Sequence, residues 1–424
     1  MTGKPLSEDM LSEIIRRYES PVLIFDQQVM ERQFRKLQHI LEEKYSNAQI
    51  AYSVKTNYIP ALISIFKKEG ALAEVVSDFE YWLAQEVGYA PKDIILNGPG
   101  KSSGSLRDAM LSGAKVNIGS FEELSTLFMS DWARGEICIG IRVNTNLGAP
   151  SHKRFGFNLE NGEVYEAVAE IKKHLPGCRV VGLHSHLGSL VEGPALSRAV
   201  ASLVSDCAIA LEKDWGQTIE YLDFGGGFPV PGMRLDRRIY WNVPDVDSYI
   251  SELANVLHEK FPTRKPLLIV EPGRYLIQQA GMLVATVLES KQIPFPKGGW
   301  SVVRPNHKVQ MITVDTSRSS VLKNISDAKH IKIVGGISTT KKLPTYIVGN
   351  SCINHDYLSA EVMLPPLQKG ERVLFSNAGA YTASFSQQFI HPRPAAVLVN
   401  SVGNTICIQR KESFEDMISR SPRT

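Results

Sequence analysis

Between residues 46 and 276 the chain alternates between two hydrophobic periods. Eight short runs, 50–54, 73–76, 94–96, 115–118, 137–143, 180–184, 221–224 and 267–270, are rich in Val, Ile and Leu and read as strands. They are largely apolar on both faces, as parallel strands covered on both sides must be. The segments between them, among them 79–87, 103–112, 121–132 and 191–215, space their apolar residues as an amphipathic helix does. Their lengths suit crossovers between parallel strands. Eight such units predict an α/β fold, a (β/α)8 or TIM barrel.

After residue 281 the pattern changes. Runs 309–314, 331–334, 345–348, 372–375, 396–399 and 405–409 read as strands without long helices between them, which predicts an all-β C-terminal domain, a sandwich or barrel. An early run, 21–25, is expected to join that sheet. The expected division is therefore 1–30 as an N-terminal segment lending a strand to the β domain, 31–282 as the barrel, and 283–424 as the β domain.

Composition narrows the class. With 43% hydrophobic and 21% charged residues the 424-residue chain is that of a globular protein, too long for one ordinary core. A net charge of +3 without a basic stripe offers nucleic acid no footprint. The first residues lack the apolar run of a signal peptide, and no later stretch reads as long and uncharged enough to span a bilayer, so no membrane association is expected. Five scattered cysteines, Cys138, Cys178, Cys207, Cys352 and Cys407, lack metal-type spacing and fit a reducing cytoplasm; no metal is expected.

In such a barrel the C-terminal strand ends line the active site. In chain order these ends carry Lys55; Glu74 with Ser77; Arg142; His184, His186 and Ser189; Gly225-Gly226-Gly227; and Glu271-Pro272-Gly273-Arg274. A lysine held partly out of water loses its proton more readily and can form an imine. Three glycines let amide N–H groups approach an anion, although they also make a tight turn. With Ser189, Gly273 and Arg274 they read as a phosphate seat. Glu271 either pairs with Arg274 or faces a pyridine nitrogen, keeping it protonated through a charge-assisted hydrogen bond of about 1.5–3 kcal/mol. A ring kept cationic is a strong electron sink, which favours decarboxylation over racemisation. Amine, anion seat and acid together read as a pyridoxal-phosphate (PLP) site.

His184 and His186, two residues apart, share a strand face. Core packing, zinc ligation and stacking on a flat cofactor are the alternatives; stacking by His186 is preferred because no carboxylate or third histidine follows at ligand spacing. In the second domain Cys352 is either a small buried hydrophobe or a proton donor. Asp356, close by, is a local cap or a substrate contact.

Taken in order, Tyr52-Ser53-Val54-Lys55-Thr56-Asn57, the run from His184 to Ser189, Gly225-Gly226-Gly227-Phe228, Glu271-Pro272-Gly273-Arg274, the run from Gly349 to Asp356, and Gly379-Ala380-Tyr381 resemble the fold-type III PLP-dependent decarboxylases, which include diaminopimelate, ornithine and arginine decarboxylases. The resemblance covers about residues 21–399 and implies PLP as cofactor on a two-domain architecture like that of alanine racemase. On this resemblance Lys55 attaches PLP, His186 stacks on its ring and Glu271 holds its nitrogen. Ser189, Gly226, Gly227, Gly273, Arg274 and Tyr381 bind its phosphate, and Glu74 and Arg142 lie near the ring and its phenolic oxygen. Cys352 comes from the second subunit of a head-to-tail homodimer with shared active sites and protonates Cα after carbon dioxide leaves.

Members of this family that hold a distal amino group usually carry an acid directly after the cysteine; this chain has Ile353, which cannot pair with an ammonium. Arg318 and Lys323 fall near the place of a carboxylate-binding arginine, so Arg274, Arg318, Lys323 and Asp356 are the candidate substrate contacts. The expected activity is decarboxylation of the α-carboxylate of an amino acid or amino-acid conjugate, as in siderophore or antibiotic biosynthesis. Diaminopimelate decarboxylation in lysine biosynthesis is the alternative. An amino-acid racemase and a non-catalytic relative that binds PLP or a partner protein are the readings from other classes.

Overall fold

The structure, a computed structural model, describes residues 6–147, 153–189, 191, 193–231, 233–235, 238–240, 242–294, 308–319, 330–336 and 341–422. Two compact units emerge: Glu31–Val230 with Val243–Leu276, and Met1–Met30 with Pro231–Asn242 and Ile277–Thr424.

The first strand, β1 (Val22–Asp26), belongs to the second unit. Eight later strands build the barrel: β2 (Ala48–Ser53), β3 (Leu72–Val75), β4 (Ile94–Leu96), β5 (Lys115–Ile118), β6 (Ile137–Asn144), β7 (Cys178–His184), β8 (Tyr221–Asp223) and β9 (Leu267–Val270). They pair in parallel in chain order, and β9 closes onto β2 through Leu268↔Ala48, Ile269↔Gln49 and Val270↔Ile50. This is the expected (β/α)8 barrel. Helices begin directly after several strands because a serine caps them: Ser77 Oγ accepts from Glu80 N–H and Ser120 Oγ from Glu123 N–H, each at 3.2 Å. Strand ends and helix starts thus share one rim.

Inside the barrel, two glycines make room for one tyrosine. A Cβ on Gly182 would come within 2.0 Å of Tyr221 Cζ, and one on Gly140 within 2.1 Å of the Tyr221 hydroxyl. The crossover helix Pro194–Trp215 corrects one expectation, since it is long and apolar enough by composition to cross a membrane. Here it is a barrel helix that buries Val200, Ala201, Val204, Cys207, Ala208 and Leu211.

The second unit is a mixed sheet of β1, β10 (Gly281–Pro294), β11 (Lys308–Val314), β12 (Ile331–Val334), β13 (Leu343–Val348), β14 (Tyr357–Leu364), β15 (Arg372–Ser376), β16 (Ala395–Val399) and β17 (Thr405–Gln409). Its order is β14-β13-β11-β10-β1-β16-β17, with β15 also on β10 and β12 on β15. β1 sits between antiparallel β10 and parallel β16. Val22 and Ile24 pack with Leu11, Ile14 and Ile15 of the helix Glu8–Tyr18 against Val284, Leu374, Ala395 and Val397.

The unit boundaries depart from the expected 31–282. Gly281 and Met282 already pair with Phe25 and Ile24, which draws the segment from Ile277 into the sheet unit. Pro231–Asn242 also groups there: it forms its own hairpin, Met233–Leu235 on Arg238–Tyr240, and Asn377 Nδ2 donates to the Pro231 carbonyl at 3.5 Å.

Candidate active site at the C-terminal rim of the barrel

Lys55 lies in a one-turn 3-10 segment, Val54–Thr56, immediately after β2. Its Nζ is 2.5 Å from Glu74 Oε2 and 3.0 Å from Ser53 Oγ, and its side chain is 33% exposed. The Ser53 hydroxyl also donates to Glu74. A second rim lysine, Lys101, is unlike it. Lys101 is 1% exposed, and its Nζ is held 3.0 Å from both oxygens of Glu123 and 2.7 Å from the Gly98 carbonyl. A lysine clamped by three oxygens is a strut; Lys55, half open, is the amine that can meet a carbonyl compound.

Glu271 follows β9 and is buried. Asn97 Nδ2 donates to its Oε1 at 2.6 Å, and His184 Nε2 lies 3.6 Å from its Oε2. Burial opposes a charge on Glu271, yet the facing His184, with Lys55 beyond, holds its carboxyl below the ordinary range. Asp223, fully buried beside it, is pushed well above its ordinary value by burial and by the Glu271 charge, so Asp223 is the partner that keeps the proton. His184, Asp223 and Glu271 bring ligand-type atoms within 4.8 Å of one another from three strand ends. This answers the absent ligand spacing noted in the sequence, since the carboxylates arrive from other strands. Asn97 Nδ2–H occupies one Glu271 oxygen and would oppose a cation there.

Burial drives His186 well below its ordinary pKa, so its ring is neutral. Its Nδ1 accepts from Gly226 N–H at 3.2 Å, which leaves the ring proton on Nε2. Arg142, at the end of β6, stacks with its Cζ 4.9 Å from the Phe155 ring centroid. Burial lowers its pKa against the pull of Glu271 and Glu74, but a guanidinium stays charged.

The glycine turn after β8 exists because backbones meet there without side chains between them. A Cβ on Gly226 would lie 2.1 Å from the Glu271 carbonyl oxygen, and one on Gly227, at φ +87°, 2.1 Å from that of Gly188. At Gly273 a Cβ would instead meet a side chain, 1.9 Å from Thr56 Oγ1. The result is a cradle of closely approaching main chain next to Thr56, with Arg274, half-buried, following Gly273 and Ser189, exposed, following Gly188. Amine, buried acid, neutral imidazole and glycine cradle fit PLP. Lys55, Glu74, Arg142, His186, Ser189, Gly226, Gly227, Glu271, Gly273 and Arg274 all belong to the barrel unit.

The remaining candidates lie in the sheet unit. Tyr381 adopts φ +62° in a turn where Ala378 N–H donates to Gly281 O at 2.8 Å and Gly379 N–H to Gln278 O at 3.1 Å. Cys352 is exposed in the loop between β13 and β14. Arg318 is exposed, and Lys323 lies outside the described residues. Asp356, read from the sequence as a local cap or a substrate contact, has a buried carboxylate that accepts from Arg318 N–H (2.6 Å), Ser351 N–H (3.0 Å) and the Ser351 hydroxyl (2.5 Å). It therefore shapes its own loop. Sequence reasoning also passed over Asn97, Asn117 and Asp223, whose one signal is a polar residue at or beside the end of an apolar run.

Residues 28–278 match the family model for the pyridoxal-binding domain of the pyridoxal-dependent decarboxylases. The chain is 26% identical to diaminopimelate decarboxylase of Methanothermobacter thermautotrophicus, an alignment covering 96% of this chain and 92% of that protein. It is also 26% identical to the L-glutamyl-[BtrI acyl-carrier protein] decarboxylase of Niallia circulans, over 99% and 97% of the two chains. Among solved structures it matches AQ1208 from Aquifex aeolicus (TM-score 0.79, 27% identity, 97% and 94% covered). It shares the fold of diaminopimelate decarboxylase from M. jannaschii in complex with L-lysine (TM-score 0.82, 22% identity, 97% and 94% covered). With the pyridoxal-binding model matched over more than half its length, the chain belongs to the pyridoxal-dependent decarboxylases, enzymes that use PLP to remove carbon dioxide from an amino-acid substrate.

Proposed function

We propose that the substrate is an amino acid whose far end carries no free ammonium, being neutral, acidic or joined to a carrier. The observation behind this reading is the outward face of the Cys352 loop. Ile353 is 42% exposed, Asn354 and His355 are exposed, and the loop's one carboxylate, Asp356, turns inward. Holding an ammonium beside the cysteine calls for an anion, a charge-assisted bond of about 1.5–3 kcal/mol, and isoleucine supplies none. The Niallia circulans relative, named for a glutamyl group on a carrier protein, supports a conjugated far end.

When bound, PLP supplies an electron sink conjugated with the substrate Cα. In this reading Lys55 Nζ attaches the cofactor and Glu74 and Arg142 flank it. Glu271 holds a proton on the ring nitrogen, and His186 covers one ring face. Gly226, Gly227, Ser189, Gly273, Arg274 and Tyr381 bind the phosphate. The Cys352 thiol of a second subunit returns a proton to Cα, which makes the working form a homodimer. The five cysteines, all unpaired, support a reducing cytoplasm.

A second reading, diaminopimelate decarboxylation, is favoured by the name of the Methanothermobacter relative and would use Arg318 for the distal carboxylate. Carbon dioxide release from free ornithine and lysine, diaminopimelate, glutamate, and acyl- or citryl-linked amino acids tests both. The expected result is turnover of a conjugated or acidic substrate; efficient turnover of ornithine or lysine refutes the reading, and turnover of diaminopimelate alone installs the second.

A further inference from the structure

The interior of a (β/α)8 barrel is ordinarily filled by branched aliphatic side chains. Here one side of it is polar. Asn97, Asn117 and Tyr221 are 1%, 2% and 2% exposed, and they form a single file of hydrogen bonds that ends on the two site carboxylates. Asn97 Nδ2 reaches Glu271 Oε1 at 2.6 Å and Glu74 Oε1 at 3.3 Å. Asn97 Oδ1 accepts from Asn117 Nδ2 at 2.8 Å, and Asn117 Oδ1 accepts from Tyr221 Oη at 2.8 Å.

The direction of this file is fixed from its carboxylate end. Ionised carboxylates only accept, so Asn97 must present its NH2 to them. Its oxygen then faces Asn117, which must donate in turn, and Asn117's own oxygen is left for the tyrosine hydroxyl. Each bond polarises the next towards the carboxylates. The glycines at 140 and 182 belong to the same device, because only without their Cβ atoms can the Tyr221 hydroxyl reach Asn117.

We propose that Asn97, oriented by Asn117 and Tyr221, is a positioning residue that holds Glu271 and Glu74 at a fixed mutual angle, so that Glu271 meets the cofactor ring nitrogen while Glu74 remains on the Lys55 side. This rests on the reading of Glu271 as the ring-nitrogen acid. One amide lies between two like charges and binds both. The other oxygen of Glu74 is 2.5 Å from Lys55 Nζ, and the other oxygen of Glu271 is 3.6 Å from His184. The groups facing Glu271 from the surrounding strand ends are His184, Asp223, His186, Lys55, Arg142 and Glu74; Asn97 is the non-titrating donor beside them.

The test uses purified Asn97→Asp, Tyr221→Phe and Glu271→Gln proteins loaded with PLP. Asn97→Asp keeps the shape but turns the shared donor into an acceptor. Tyr221→Phe keeps the ring and removes the head of the file, so it carries the test should Asn97→Asp fail to fold. Expected for Asn97→Asp are an altered visible absorbance of the bound cofactor, PLP affinity of the apoprotein weakened by about 10- to 100-fold, and a fall in kcat of similar size with little change in KM, the scale of losing a hydrogen bond to a charged group. Tyr221→Phe is expected to shift the same quantities in the same direction by less. Wild-type absorbance and PLP affinity in folded Asn97→Asp, or in Tyr221→Phe where only that variant folds, overturn the proposal. If Glu271→Gln alone changes the absorbance, the relay is wrong and the role of Glu271 stands; if Glu271→Gln also changes nothing, the reading of Glu271 falls with it.

Discussion

Lys55 rests on Glu74 and Ser53 with a third of its side chain in solvent, so it is open on one side to a reaction partner. Lys55→Ala is expected to lose the yellow colour of the PLP-loaded protein and to lower carbon dioxide release by about three orders of magnitude or more; absorbance after PLP incubation and gel filtration, and single-substrate rates, check it. Glu80, next along the same rim, predicts a pH effect. Burial, with Glu74 adding, raises its carboxyl from 4.5 to about 7 against the opposing Val76 N–H and Lys55. A raised acid stabilises the fold fully below about pH 4.5, and that contribution is lost as pH rises through about 7. Glu80→Gln keeps an acceptor for Val76 N–H and removes the titration. It should therefore match wild type near the acid limit and exceed it by about 1–3 kcal/mol at about pH 8, measured by denaturant unfolding at both values. Among the residues of the rim, legibility divided by partnership. Lys55, His186 and Glu271 were visible because each ends or follows an apolar run and has chemistry of its own. Asn97, Asn117 and Asp223 were not, because what they do depends on neighbours brought by other strands, and an asparagine near a strand end looks like any turn residue.

The barrel helices were legible as elements because their periodicity and their starting serines agree: Ser77 and Ser120 each cap a helix that begins at a strand end. The loop from β13 to β14 was legible only as the place of a cysteine. Its shape comes from Asp356, whose carboxylate lies so close to the main chain that a Cβ on Gly349 would sit 2.3 Å from its Oδ2. Three donors converge on it, and spacing along the chain cannot show a side chain folded back on its own loop. Asp356→Ala leaves those donors without a partner in a buried place and is expected to cost about 2–3 kcal/mol, read as a lowered unfolding midpoint. Ordinary stability in that variant would mean that the three hydrogen bonds carry no net weight.

At the scale of the molecule, the alternation of strands and helices followed by strands alone announced a barrel with a sheet unit, and the structure has both. The course of Pro231–Asn242 was hidden, since a short hairpin that leaves the barrel unit between β8 and the helix Val246–Lys260 changes neither periodicity nor composition. If Cys352 serves the Lys55 of a second subunit, mixing Lys55→Ala with Cys352→Ala protein after reversible dissociation should restore about a quarter of wild-type activity, because half of a random mixture is hybrid dimer with one intact site in two. No recovery in verified hybrids would confine each site to a single chain. The position of β1 has a further consequence, for synthesis. Its two sheet neighbours, β10 and β16, begin at Gly281 and Ala395, so during synthesis β1 must wait on the order of tens of seconds for those distant strands before its edges are covered. Until then Val22 and Ile24 lack Val284, Ala395 and Val397 as packing partners, which makes this segment one that a chaperone has reason to hold while the rest of the chain is made.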